Sequence, residues 1–150
     1  MIDARLDLKR RERLGMVEAV WGEHKTAEQI ITILERFSAA DELGLVTRVS
    51  PEKADAVLAA LPAVKAHADS RCLTLGELPA PPPGPPPVAV LSGGSSDRSV
   101  VAEATLALSC HGIAVDPLMD VGVAGLHRLL DQLPRLESAV VLIACAGMEG

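Results

Sequence analysis

The sequence predicts an α/β protein in two parts: a small N-terminal α/β module, then an incomplete three-layer domain built on a parallel sheet. Three observations carry this. After residue 88, short continuous apolar runs alternate with helical periodicities, the pattern of parallel strands covered on both faces by helices. A looser alternation of the same kind fills residues 1–76. Between the two, seven of the 11 prolines fall within residues 78–87. Proline fixes φ and removes an N–H, so this stretch reads as an extended, semi-rigid spacer, and its composition also suits a polyproline ligand. The expected organisation is a module over 1–76, a linker over 77–87 and a second domain from 88 to 150.

Residues 6–14 are charged and read as a helix. Lys9, Arg10, Arg11 and Arg13 resemble a nucleic-acid patch, but the interleaved Asp3, Asp7, Glu12 and Glu18 fit a solvated helix face. Residues 17–21 suit a short strand. Thr26-Ala27-Glu28-Gln29 is a capping box, and Ile30, Ile33, Leu34 and Phe37 recur behind it at helical spacing. Residues 43–49 are strand-like. Ser50-Pro51-Glu52 opens another helix, with Ser50 as N-cap and Pro51 at its first position, and Ala54, Val57, Leu58 and Leu61 form its apolar stripe. Residues 72–75 suit a last strand of the module. In the second domain, 88–91 is a strand, followed by Gly93-Gly94-Ser95-Ser96. A helix from about Asp97, with Val100, Val101, Ala104 and Leu108 inward, ends at Gly112. Residues 113–115 form the second strand, 123–133 a helix, and 139–144 the third strand.

Composition excludes several functions. The aromatic residues are Trp21 and Phe37 alone, too few for stacking platforms along single-stranded nucleic acid. The net charge of -6 disfavours general polyanion binding. It is uneven: residues 1–76 carry 11 Lys/Arg against 12 Asp/Glu, and residues 77–150 carry 3 against 8. An acidic domain that binds phosphate must rely on backbone amides and a few placed cations. Cys72, Cys110 and Cys145 are neither a disulfide framework nor a zinc site, and the four histidines lack ligand spacing, so no protein metal site is expected. No apolar run reaches the ~18 residues of a membrane span, and the charged N-terminus lacks a signal-peptide core. The expected setting is cytoplasmic, with no nucleic-acid or membrane partner.

Three segments carry chemistry, and all leave the carboxyl ends of strands, where open α/β sheets bind ligands. Gly93-Gly94-Ser95-Ser96-Asp97 offers a sharp turn, helix N-terminal amides and two hydroxyls to an anion. Asp97 would repel phosphate and suits a ribose hydroxyl or a metal-bound water. Plain capping by Ser96 is the other reading. The segment is not a P-loop, a Gly-x-Gly-x-x-Gly fingerprint or a Gly-x-Ser-x-Gly elbow. In Asp120-Val121-Gly122-Val123-Ala124-Gly125-Leu126-His127-Arg128, adjacent His127 and Arg128 point about 100° apart on a helix, and Arg128 has the fork for phosphate or carboxylate. Ala146-Gly147-Met148-Glu149-Gly150 leaves the third strand, with Glu149 a candidate acid/base.

Leu6-Asp7-Leu8, Gly22-Glu23-His24-Lys25-Thr26, Thr47-Arg48-Val49-Ser50-Pro51-Glu52, Ser95-Ser96-Asp97, the Asp120 to Arg128 string and Ala146-Gly147-Met148-Glu149-Gly150 occur in order along almost the whole chain. This set resembles the pyridinium-3,5-biscarboxylic acid mononucleotide synthases, the LarB family, relatives of the carboxyaminoimidazole ribonucleotide mutases. The resemblance implies a flavodoxin-like second domain, here the first part of a mutase-like nucleotide-binding domain. It also implies a reaction opening nickel-pincer cofactor biosynthesis. Nicotinic acid adenine dinucleotide is carboxylated on its pyridinium ring by carbon dioxide or bicarbonate, and phosphoanhydride cleavage releases AMP. Mg2+ is implied at the phosphates, and a homo-oligomer when the protein is complete. The family's cysteine thiolate adds to the ring, as covalent catalysis requires. That cysteine lies beyond the Ala-Gly-Met-Glu-Gly segment, so the chain reads as truncated and the role passes to none of its three cysteines.

Carried over by position, Gly94, Ser95, Ser96 and Asp97 take the phosphate and ribose. His127 and Arg128 meet phosphate or the incoming carboxylate, with His127 also a catalytic candidate. Gly147 supplies amides, and Glu149 is the acid/base. Lys25 and Arg48 would reach the adenylate half, or are surface charge. Two alternatives stand. A carboxyaminoimidazole ribonucleotide mutase is disfavoured by the N-terminal module and by Met148-Glu149-Gly150, where that family usually carries a histidine. The other is a noncatalytic nucleotide-binding remnant.

Overall fold

The computed structural model describes residues 5–148. It divides into two compact units, Met1–Leu78 and Pro79–Gly150. Among the described residues no helix is long and apolar enough to cross a membrane.

The first unit holds α1 (Arg10–Leu14), β1 (Ala19–Trp21), α2 (Ala27–Ala39), β2 (Gly44–Thr47), α3 (Pro51–Ala60), β3 (Lys65–His67) and β4 (Cys72–Leu75). Its sheet runs β1-β2-β4-β3. β1 and β2 are parallel, joined by the α2 crossover, and β4 is antiparallel to both of its neighbours. α2 begins at the capping box: Gln29 N–H donates to Thr26 Oγ1 (3.2 Å) and Thr26 N–H to Gln29 Oε1 (3.0 Å). Ile30, Ile33, Leu34 and Phe37 are then buried against Val20, Val46, Val49, Val57, Val64 and Leu73. Ser50 caps α3 through the Lys53 amide. Only Val57 of the α3 stripe is fully buried; Ala54, Leu58 and Leu61 pack on the core from its rim.

Two elements differ from expectation. Residues 6–9 are not helical. Leu6 and Leu8 both pack on the core, which extended backbone allows at i, i+2 and a helix does not, and Glu18 accepts the Asp7 N–H (2.7 Å). Strand β3 was not foreseen. Lys65 and Ala66 are exposed and His67 is half-buried, so this edge strand lacks the apolar alternation that would announce it. In β3, His67 Nε2 lies 2.9 Å from the buried Thr74 Oγ1. Burial, and then Lys65, push the His67 imidazole below its usual range. The unfolded chain therefore binds more protons just below pH 6.5, so this group's contribution is complete above that pH and lost as pH falls from there through the lowered folded value. Denaturant midpoints are expected to fall between about pH 7 and 5, and His67→Gln to flatten that slope; an unchanged slope would exclude His67 as its source.

The second unit holds β5 (Val88–Ser92), α4 (Arg98–Ser109), β6 (Val115–Leu118), α5 (Leu126–Leu130), α6 (Leu133–Glu137) and β7 (Val141–Cys145). The sheet is wholly parallel, in the order β6-β5-β7, as in the first three strands of a flavodoxin-like fold. Alternate residues of β5 feed two clusters. Val88 and Val90 meet Val101, Ala104 and Leu108 of α4. Ala89 meets Leu118 and Val121, with Leu129 and Leu136 of α5 and α6 packed alongside. Val100 is not inward: it is exposed, and Leu106 is buried instead.

The second strand is 115–118 rather than 113–115. Among the described residues it is an edge strand paired to β5 alone, so Pro117 costs it no needed donor. The helix expected over 123–133 is a 3-10 turn (Val123–Gly125) followed by α5 and α6, because Pro134, in the first turn of α6, cannot continue a helix but can start one. Asp116 of β6 accepts Arg135 Nε at 3.0 Å, and this pairing holds the carboxyl below its usual range. Around β7, Val140, Val141, Leu142 and Met148 are exposed, so the described part of the sheet leaves apolar surface uncovered on that side.

Candidate functional site

The three loops at the carboxyl ends of β5, β6 and β7 converge on Gly93. Ser92 ends β5 fully buried. Its Oγ accepts the Asp120 N–H (2.7 Å) and its carbonyl the Val121 N–H (2.9 Å). Gly93 O accepts the Gly122 N–H (2.9 Å), and Gly93 N–H donates to Cys145 O (3.3 Å). A side chain at Gly122 would meet Gly93 backbone, with carbons at 3.1 and 3.3 Å, and one at Gly93 would meet Ala146 Cβ at 2.9 Å. The backbones of all three loops are therefore in close approach. In a sheet ordered β6-β5-β7 the connection from β5 to β6 runs one way and that from β6 to β7 runs back past β5, so the strand order reverses at this edge, a topological switch point.

Within the first loop, Gly94 N–H donates to Asp97 Oδ2 (3.0 Å). Asp97 thus caps its own turn, the role one reading gave to Ser96, and it occupies an amide otherwise available to an anion. Ser95 and Ser96 are exposed in the short 3-10 turn before α4. In the second loop Asp120, at φ 58, pairs with Arg128 (2.5 Å). Arg128 is oriented by that carboxylate, while His127 is exposed on α5. Gly147 is exposed in the third loop, and Glu149 lies outside the described residues. Lys25 and Arg48 belong to the first unit, at the carboxyl ends of β1 and β2.

Sequence reasoning missed Ser92 and the Gly93–Gly122 contact. The available signal was a serine closing an apolar strand immediately before two glycines. The cleft among Ser92, Gly93, Val121, Gly122, Ala144 and Ala146 encloses about 70 Å³, against about 300–1,000 Å³ for ligand pockets. It can seat part of a ligand. Burial, and then Asp97, raise the Cys145 thiol, so it is protonated at neutral pH and unsuited to nucleophilic attack; Cys72 and Cys110 are buried. Among the described residues no three His, Cys, Asp or Glu side chains gather as a metal site.

Comparison with known proteins agrees with this architecture. Residues 1–77 match the family model of the LarB/PurE-like N-terminal domain. The chain is 29% identical over 153 aligned residues to the uncharacterized protein MJ0165 of Methanocaldococcus jannaschii, an alignment covering 97% of this chain and 60% of that relative. The chain therefore spans less than two thirds of the relative's length. With its N-terminal half matched along its full extent, the chain belongs to the LarB/PurE-like family.

Proposed function

We propose that the second unit contributes part of a nucleotide site for carboxylation of the pyridinium ring of nicotinic acid adenine dinucleotide, with phosphoanhydride cleavage releasing AMP. In the balanced reaction, carbon dioxide forms a C–C bond to the ring, a ring proton is lost to a base, and water cleaves the anhydride. The observation that supports this reading is the convergence of the β5, β6 and β7 loops on Gly93, in a chain of the LarB/PurE-like family.

In this reading Ser95 and Ser96 donate to the mononucleotide phosphate. Arg128, held in place by Asp120, supplies the positive charge near it, and His127 lies one residue away to meet the incoming carboxylate. Gly147 offers its amide, and Glu149 is the proposed base. Asp97 keeps the first turn closed through Gly94. None of the three cysteines is assigned the nucleophile, for the reasons of burial and protonation above. The described residues form no cage for Mg2+, and magnesium usually binds through one or two carboxylates plus substrate phosphates. The ion would therefore be held by the substrate's own phosphates, and no step here depends on it. The cleft's small volume fits a site completed by further walls, from a longer chain or from other copies in a homo-oligomer.

The test is incubation with nicotinic acid adenine dinucleotide, isotopically labelled bicarbonate and magnesium, read by mass spectrometry. The chain is assayed alone and extended by the additional segment of its relative. Labelled dicarboxylated mononucleotide with AMP from either form supports the proposal. Absence from both, with the proteins folded, overturns it. Turnover of a carboxyaminoimidazole ribonucleotide instead would transfer the site to the purine mutase reaction.

A further inference from the structure

Between α3 and β3 the first unit holds a cavity of about 190 Å³ that the proposed reaction does not use. Its apolar wall comes from Val49, Ala54, Leu58 and Leu73, and of these Val49 and Leu73 are buried. An apolar cavity of about 150 Å³ is large enough to take benzene, so this one has room for a branched aliphatic group. The polar groups along the wall are already engaged. Cys72 Sγ donates to Ser70 O (3.2 Å), and His67 Nε2 lies 2.9 Å from Thr74 Oγ1. They leave little to hold a water inside, since a buried water needs about two to four polar partners.

Two opposite charges complete the lining. Asp55 belongs to α3, and Arg71 stands between the 3-10 turn Ala68–Ser70 and β4. Both line the cavity and both are exposed, so they mark its mouth. Among the described residues neither side chain has an ion-pair partner, and the two do not pair with each other. Arg71 is anchored through its backbone. It holds a φ of 52°, its N–H donates to Ala68 O (3.1 Å), and its carbonyl accepts the Val49 N–H (2.8 Å). Such a φ is uncommon outside glycine. His67, held below its usual range by burial and then Lys65, is neutral at neutral pH, which leaves Arg71 as the cation of the lining.

We infer that this cavity binds a free aliphatic α-amino acid of leucine's size. The side chain fills the apolar cavity, the carboxylate meets the Arg71 fork, which suits it geometrically, and the ammonium meets Asp55. A pocket with an apolar wall and a few polar groups at set places is the usual form of a small-molecule site. The inference concerns the first unit alone and does not depend on the reaction proposed for the second.

Titration of the full chain with L-leucine, followed by amide nuclear magnetic resonance shifts, is expected to give saturable changes at Ala54, Ala66 and Leu73. N-acetylleucine lacks the ammonium and leucinamide lacks the carboxylate, so each should bind the parent protein at least about tenfold more weakly, the usual size of a lost charged hydrogen bond. Arg71→Gly keeps the positive φ without strain; it should weaken leucine about tenfold and leave leucinamide unchanged. Asp55→Asn should weaken leucine similarly and leave N-acetylleucine unchanged. Ala66→Phe, at an exposed position of β3 that lines the cavity, fills it with a residue suited to a strand and should abolish binding of all three. The inference is overturned if folded parent protein shows no saturable shift up to millimolar leucine. It is overturned equally if N-acetylleucine or leucinamide binds the parent as tightly as leucine, the mark of a site for a peptide terminus. Leucine binding that persists in folded Ala66→Phe, or that is unchanged in Arg71→Gly or Asp55→Asn, also overturns it.

Discussion

Gly122→Val is expected to destabilise the second unit by about 1–3 kcal/mol, the usual cost of forcing extra carbon into a packed site, and to open its candidate site. The cost is one of contact and not of backbone conformation, since Gly122 sits at φ -58, open to any residue. Its Cβ would meet the carbonyl group and Cα of Gly93, and backbone cannot swing aside as a flexible side chain can. The β5 and β6 loops would have to part, straining the Gly122–Gly93 hydrogen bond and the two that Ser92 makes to Asp120 and Val121. Amide hydrogen exchange at Val121 and Gly122 should accelerate, and the urea midpoint read by far-UV circular dichroism should fall. Gly147→Ala is the control, because its added carbon meets nothing within 4 Å. If both variants exchange and unfold like the parent, the loops do not meet at Gly93.

That contact also marks the limit of what the sequence could reveal. The order of apolar runs and helical stripes was legible because burial is periodic: Ile30, Ile33, Leu34 and Phe37 are buried at the spacing their positions dictate. Local chemistry was legible at Thr26 and Ser50, where a cap depends on residues within three positions. What stayed hidden depends on distant partners. β3 is defined by pairing with β4, not by its own polar composition. The second strand of the parallel sheet moved to 115–118 because pairing with β5 overrides the intrinsic reluctance of Pro117. Within the site, the Gly-rich segments were visible as motifs, but the partners of their polar groups were not. The bond from the Gly94 amide to Asp97 was not foreseen, and the Asp120–Arg128 pair spans a turn whose shape no spacing rule supplies.

Phe37→Ala should be the most damaging single truncation in the first unit, costing about 3–5 kcal/mol in a chain whose total stability is expected to be about 5–15 kcal/mol. Phe37 is 2% exposed and its cluster is otherwise aliphatic, so no neighbouring ring can rotate to fill the space. At a urea slope of about 1–3 kcal/mol/M, the midpoint reported by Trp21 should drop by about 1 M or more. Phe37→Leu, which keeps much of the volume, should lose far less. Val100→Ala, at an exposed position, should change stability by about 0.5 kcal/mol or less. A Phe37→Ala protein with an unchanged midpoint would mean that the α2 stripe is not what holds the unit together.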